Sequence, residues 1–324
     1  MHLRRLGRTG FEVSEVGFGA WGISGVEWIG AQDDESVQAL ERAIDRGLNV
    51  IDTALAYGPH HSERLVGQVV RRCDEDVVVA TKVPPKNQLW PAAAGSRVED
   101  VFPRDHVRAC AERSLRNLGM EAVDLLQLHV WLDDWLDQGD WQEEVEALRD
   151  EGKIRAFGIS INDHQPETAL RAVASGLVDT VQVIYNVFDQ SPEDELFPLC
   201  EEHRVGVLAR VPLDEGGLTG RITPETEFAD DDFRKGYFAG DRARQVQERV
   251  AAIAADLGRP VEDVPEIALR FCLSHPAVST VIPGMRSVRN VERNCAIADG
   301  RGLPAADVQK LRAHRWTRNF YLPA

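Results

Sequence analysis

Short, continuous runs of aliphatic residues alternate along the chain with stretches whose apolar positions recur every three or four residues. The first kind occupies 15–21, 49–54, 77–83, 122–130, 156–160, 180–186, 205–211 and 278–284. Runs without polar alternation suit parallel strands covered on both faces. The second kind predicts helices over about 33–46, 61–72, 104–119, 140–151, 166–175, 192–203, 261–274 and 287–298. Eight strand–helix units in 324 residues predict an α/β fold, a (β/α)8 TIM barrel, as one domain over 1–324. The rival is a doubly wound sheet. Against it, GFGAWG (17–22) lacks the spacing of a dinucleotide-binding glycine loop and no helix starts directly behind it. Residues 2–5 and 11–14, joined by GRTG, predict a hairpin closing the barrel floor.

Two connections are long. Residues 84–103 contain Pro84, Pro85, Trp90 and Pro91, and residues 212–240 are rich in Gly and Asp. Both follow strands, so both lie on the C-terminal face, where barrel enzymes keep their chemistry.

Charge narrows the partners. A formal net charge of −16 disfavours nucleic acid and anionic membranes. The five cysteines form no CxxC pair, which points to reduced thiols in a cytoplasmic protein rather than a disulfide frame or a metal site. MHLRRLGRTG carries two arginines without the apolar stretch of a signal peptide. No apolar run approaches the roughly 20 residues of a membrane span.

The polar exceptions in the strand runs converge. Asp52 ends the second strand and Tyr57 follows it; Lys82 ends the third, and His129 ends the fourth. Singly, such residues are often structural: an acid capping a loop, or a lysine reaching water. Together, at one edge of three adjacent strands, they read as an acid–base site. Asp52 would pair with Lys82 as a buried charge must, and the lysine would lower the Tyr57 pKa. Such a phenol can give a proton to a carbonyl oxygen while a neutral His129 orients that carbonyl.

These residues sit in motifs that resemble the aldo-keto reductase family. The matches are NVIDTALAYG with SERLVG, then ATKV, VDLLQLH, GKIRAFGIS, VQVIYN and VIPG, and they extend over nearly the whole chain. The resemblance implies a (β/α)8 barrel that reduces aldehydes and ketones with NADPH, and a catalytic tetrad of Asp52, Tyr57, Lys82 and His129. Tyr57 would be the general acid, Lys82 its tuning cation, Asp52 the partner of Lys82, and His129 the substrate-orienting group. It also implies an extended cofactor. Ser160 and Gln182 match the family's nicotinamide-amide contacts. The accompanying Asn position holds Ile161, with Asn162 one place later. Where many members stack a tyrosine on the nicotinamide, this chain has Arg210 in ARVPL. A planar guanidinium there can stack, meet a phosphate or meet the substrate.

PLDEGGLTGR (212–221) resembles the pyrophosphate-covering loop, with Leu213, Gly217, Leu218 and Gly220 as its contacts. VIPGMRSVRNVERN (281–294) resembles the segment that holds the adenosine phosphate and adenine. Gly284, Arg286, Ser287, Asn290 and Asn294 carry the match. A cation there argues for NADPH over NADH. Trp21, Trp90 and Trp131 are candidates for an apolar substrate wall, joined by the tail aromatics Trp316, Phe320 and Tyr321. His60 and His61 are pocket residues or helix-cap neighbours, and WLDDWLDQGD (131–140) reads as an acidic loop. The leading expectation is NADPH-dependent reduction of a small-molecule carbonyl. The alternatives are an NADPH-retaining binding or redox-sensing subunit, as in potassium-channel β-subunits, and a redox-neutral, epimerase-like enzyme. The sequence leaves homo-oligomer formation open.

Overall fold

Among the residues described by the computed structural model, 1–322, eight parallel strands follow one another in chain order. They are β3 (Phe18–Gly19), β4 (Val50–Asp52), β5 (Val78–Val83), β6 (Val123–Leu128), β7 (Ile154–Ser160), β8 (Thr180–Ile184), β9 (Gly206–Arg210) and β10 (Val278–Val281), after the hairpin β1 (Leu3–Arg5) and β2 (Glu12–Ser14). Parallel bridges Val16–Val281 and Gly19–Gly284 bring the last strand back to the first and curl the sheet into a (β/α)8 barrel. The chain at the first strand runs tight against its neighbours. A Cβ on Gly17 would lie 2.2 Å from Val50 Cγ1, and one on Gly19 would lie 2.6 Å from the Ile282 carbonyl oxygen.

The predicted helices form close to their expected limits: α1 (Asp33–Asp45), α2 (His61–Val70), α4 (Arg104–Leu118), α5 (Trp141–Asp150), α6 (Leu170–Ser175), α7 (Leu196–His203), α10 (Val264–Leu273) and α11 (Val288–Cys295). In α1, Asp33, Asp34 and Glu35 fill the first turn, where the helix dipole favours acids. Ala39, Leu40, Ala43 and Ile44 give it one buried face. Short turns of helix also form at α3 (Val98–Val101) and α8 (Phe233–Tyr237), within the two long connections. Two helices were not expected, α9 (Arg242–Leu257) and α12 (Ala305–Arg312). The buried face of α9 is Ala243, Val246, Val250, Ile253 and Ala254, at helical spacing but diluted by charge and alanine.

The hairpin closes the floor. Leu6 and Val13 pack in one cluster with Val50, Val78, Ala80, Leu125, Ala156 and Leu208, which point into the barrel. Side chains alternate along a strand, so the next inward position above each of these is fixed: Asp52 above Val50, Lys82 above Ala80, Gln127 above Leu125, Arg210 above Leu208. The interior is thus apolar below and polar above. No described helix is long and apolar enough to cross a membrane, and the described residues contain no His/Cys/Asp/Glu group arranged to hold a metal.

Candidate active site

The polar layer opens into a cavity of about 960 Å³ at the C-terminal mouth. At its base Lys82 is fully buried, and its Nζ donates to Asp52 Oδ2 at 2.6 Å and to the Thr53 carbonyl at 2.9 Å. The same Nζ lies 3.4 Å from the Tyr57 hydroxyl. His129 stands edge-on to the Tyr57 ring, with centroids 5.7 Å apart. Its Nδ1 is buried without a partner among the described residues. The four residues singled out at the strand ends therefore meet in one place.

Their electrostatics differ from the expectation in one respect. Burial, then the Asp52 carboxylate, holds the Tyr57 pKa well above its ordinary value, and Arg210 is the cation that pulls it down. The expected lowering by Lys82 is not what is found: desolvation of a phenolate and the Asp52 charge set the direction, and the opposing cation is Arg210. Burial lowers the Lys82 pKa although Asp52 opposes it. Burial, then Lys82 and Arg210, presses the His129 pKa well below its usual value. At neutral pH the site presents a protonated phenol and a neutral imidazole.

Asp52 has a second set of partners. Its Oδ1 accepts from Gln182 Nε2 at 2.7 Å and from Gln127 Nε2 at 3.4 Å. Gln127 was not anticipated. The signal was a polar residue two places before His129 in DLLQLH, hence on the same face of the strand.

Ser160, Asn162, Gln182 and Arg210 all line the cavity. The Asn162 amide is engaged at both ends. Its Oδ1 accepts from the Ala92 backbone N–H at 3.2 Å, and its Nδ2 lies 3.2 Å from Gln165 Oε1, which ties two active-face loops together. Arg210 is anchored rather than free, since Nη2 donates to the Ile161 carbonyl at 2.9 Å and to Asp163 Oδ1 at 2.7 Å. Its Nε is buried without a partner among the described residues. Burial works against the guanidinium charge, but Asp163 together with Tyr321 and Tyr57 offsets it and the pKa rises.

The glycine-rich loop departs from its expected role. Residues Asp214–Thr219 form a tight 3-10 segment kinked at Glu215 and Gly216, whose φ angles are 53° and 99°, and Leu213, Glu215, Gly216 and Thr219 face the cavity. Gly217, Leu218 and Gly220 do not. Gly217 packs on Asp214 and Val246, Leu218 is buried in the core, and Gly220 abuts Val261. Asp214 accepts from the Tyr237 hydroxyl at 2.9 Å and from Arg318, and Glu215 accepts from the Tyr321 hydroxyl at 2.6 Å. The tail thus fastens this loop. Burial pushes the Glu215 carboxyl up to about 7.

At the far end Gly284, Arg286, Asn290 and Asn294 line the cavity. Arg286 Nη1 donates to the Ile29 carbonyl at 2.9 Å. Burial, then the neighbouring Arg234, lowers its pKa. Ser287 does not face the cavity; its Oγ caps α11 by accepting from the Asn290 N–H. Arg221, Arg234 and Arg293 also line the cavity and were not anticipated.

Of the tryptophans, Trp21 and Trp90 line the cavity, with Trp21 stacked on Tyr57 at 6.1 Å. Trp131 does not. It is fully buried behind the wall, edge-on to Trp135 and Trp141, with its indole N–H donated to Asp133. Trp28, Phe233 and Tyr321 complete the aromatic wall. Trp316 and Phe320 pack against each other instead. His60 reaches the cavity edge, while His61 pairs with Asp33.

A barrel with such a cluster at its mouth belongs to a class of barrel oxidoreductases. The chain is a member of the aldo/keto reductase family, whose pattern matches residues 15–315. Members are oxidoreductases that act on carbonyl compounds with a nicotinamide cofactor. An aldo-keto reductase of Bacillus subtilis is 31% identical over 301 residues, covering 90% of this chain and 87% of that protein. An NADH-specific methylglyoxal reductase of Escherichia coli is 27% identical, with 90% and 91% covered. Among solved structures, the holo form of an aldo-keto reductase from Bacillus halodurans has a TM-score of 0.76 at 26% identity, covering 99% and 100%. An aldo/keto reductase of Klebsiella pneumoniae in complex with NADP and acetate has a TM-score of 0.67 at 27% identity, with 98% of both chains covered.

Proposed function

We propose that the protein reduces an aldehyde or ketone to an alcohol with NADPH, and that Tyr57 is the proton donor. The observation that carries this reading is the Tyr57 hydroxyl placed 3.4 Å from Lys82 Nζ, beside His129, at the base of the cavity. When bound, the reduced nicotinamide supplies hydride to the carbonyl carbon. Tyr57 keeps its proton at neutral pH and delivers it to the carbonyl oxygen. Lys82, held by Asp52, stabilises the phenolate left behind. His129, kept neutral, orients the same oxygen. Trp21, Trp90 and Tyr321 exclude water around it.

The chain's residues fit a dinucleotide. The cavity is at the upper end of the size range of ligand sites. It runs from buried polar atoms without partners, His129 Nδ1 and Arg210 Nε, to a group of arginines. Ser160, Asn162 and Gln182 lie where a carboxamide would be held, Arg210 beside them, and Leu213 and Gly216 where a pyrophosphate would pass. Gly284, Arg286, Asn290 and Asn294 take the adenosine end. Arg286 supports NADPH because the 2′-phosphate is what distinguishes it from NADH. The test is turnover of a carbonyl panel with reduced cofactor deuterated at the transferred position. One deuterium on the new alcohol carbon is expected, with Arg286→Ala raising KM for NADPH about tenfold or more and leaving KM for NADH nearly unchanged. Cofactor that is never consumed contradicts the reading.

A further inference from the structure

Asp52, Gln182 and Gln127 close a ring of hydrogen bonds under the cavity. Gln182 Nε2 lies 2.7 Å from Asp52 Oδ1 and 3.3 Å from Gln127 Oε1, and Gln127 Nε2 lies 3.4 Å from the same carboxylate oxygen. The amide orientations follow from chemistry. Asp52 is paired with Lys82 and, as a carboxylate, can only accept. The Gln182 atom facing it must therefore be the nitrogen, and so must the Gln127 atom. Gln127 then turns its oxygen to Gln182.

An amide nitrogen carries two N–H groups. Gln182 gives one to Asp52 and the other to Gln127. Its Oε1 takes no hydrogen bond from the described residues, and Gln182 lines the cavity. Gln127 is fully buried and does not line the cavity, so it acts only through its neighbours.

We propose that Gln127 is a positioning residue that consumes the second N–H of Gln182, so that Gln182 offers the cofactor carboxamide an acceptor and no donor. This rests on the cofactor reading above. The carboxamide must meet Gln182 with its NH2 group, and its oxygen is left to other donors. Without Gln127, the freed N–H of Gln182 is a donor that a ligand's acyl oxygen can accept from, so Gln182 no longer selects for an NH2 group. A purely structural role for Gln127 would leave that selection untouched.

The experiment compares, by titration calorimetry, NADPH with its 3-acetylpyridine analogue, in which a methyl group replaces the carboxamide NH2. The wild type is expected to bind the analogue about tenfold more weakly, because Gln182 Oε1 is left unpaired. In Gln127→Met, which keeps side-chain volume, the ratio is expected to shrink to about threefold or less as the freed N–H finds the acetyl oxygen. Gln127→Leu provides a second variant, and the wild-type ratio stands without either. NADPH bound tightly with equal affinity for the analogue overturns the proposal alone. So does a ratio unchanged in both variants. Failure of the wild type to bind either nucleotide overturns the cofactor reading and this proposal with it.

Discussion

The floor and the mouth of the barrel are built from the same inward positions, two residues apart on each strand, yet they do opposite things. Val50, Ala80, Leu125 and Leu208 meet the hairpin and are sealed from water by Leu6 and Val13. Asp52, Lys82, Gln127 and Arg210 sit one inward step higher; Asp52 and Arg210 reach the cavity, and Lys82 and Gln127 support them from beneath it. The backbone geometry is common to both layers. The lower layer stabilises by burial, roughly 25 cal/mol per Å² of apolar surface removed from water. The upper layer holds groups whose desolvation works against folding and is offset only by exact pairing, Lys82 with Asp52 and Arg210 with Asp163. A polar inner layer stacked on an apolar one therefore marks where a barrel gives up stability for chemistry.

The largest effect expected from breaking this contrast is at Lys82. Lys82→Met leaves Asp52 buried without its cation. It is expected to lower kcat/KM by about a thousandfold or more and to destabilise the fold by about 3 kcal/mol, read by steady-state kinetics and denaturant unfolding. One layer down, Leu125→Ala is expected to destabilise by about 3 kcal/mol through the cavity it opens, with kcat/KM within about threefold of wild type. Equal kinetic losses in the two variants would dissolve the distinction between the layers.

A smaller effect separates the layers by pH. The floor residues have no titratable side chains, whereas the mouth contains Glu215, raised by burial from 4.5 to about 7. The folded protein holds this proton more tightly than the unfolded chain. Stability from this group is thus fully present below pH 4.5 and is lost as pH rises to about 7. Glu215→Gln removes the titration while keeping an oxygen for Tyr321. Its stability relative to wild type is expected to rise by about 2 kcal/mol between pH 5 and pH 8. An unchanged difference across that range would show that Glu215 does not titrate there.

Much of this was legible in the sequence because it follows local patterns. Continuous apolar runs marked the strands, and the polar exceptions Asp52, Lys82 and His129 stood at their ends. Gln127 obeys the same two-residue spacing, but a single glutamine in DLLQLH gives no sign of the residues it meets across the barrel. Trp131 was misjudged because adjacency to His129 in sequence does not fix which side of the wall a side chain enters. The contacts at Gly217 and Gly220 follow from the loop's resemblance to a pyrophosphate cover, while a kinked 3-10 segment held by the tail decides which residues face the cavity. That hold is non-local: Tyr321 and Glu215 are 106 residues apart, and no pattern in either segment announces the other. The depression of the Tyr57 pKa expected from Lys82 failed for a related reason, since the depth of burial is a property of the assembled cavity.

The measurement that tests the central claim most directly is reduction of a turned-over carbonyl by wild type and Tyr57→Phe, with NADPH affinity measured alongside. The account predicts that kcat falls by about a hundredfold or more while the dissociation constant stays within about threefold, because only the proton is removed. Turnover by Tyr57→Phe near the wild-type rate, with cofactor binding intact, would contradict the assignment of Tyr57 as proton donor.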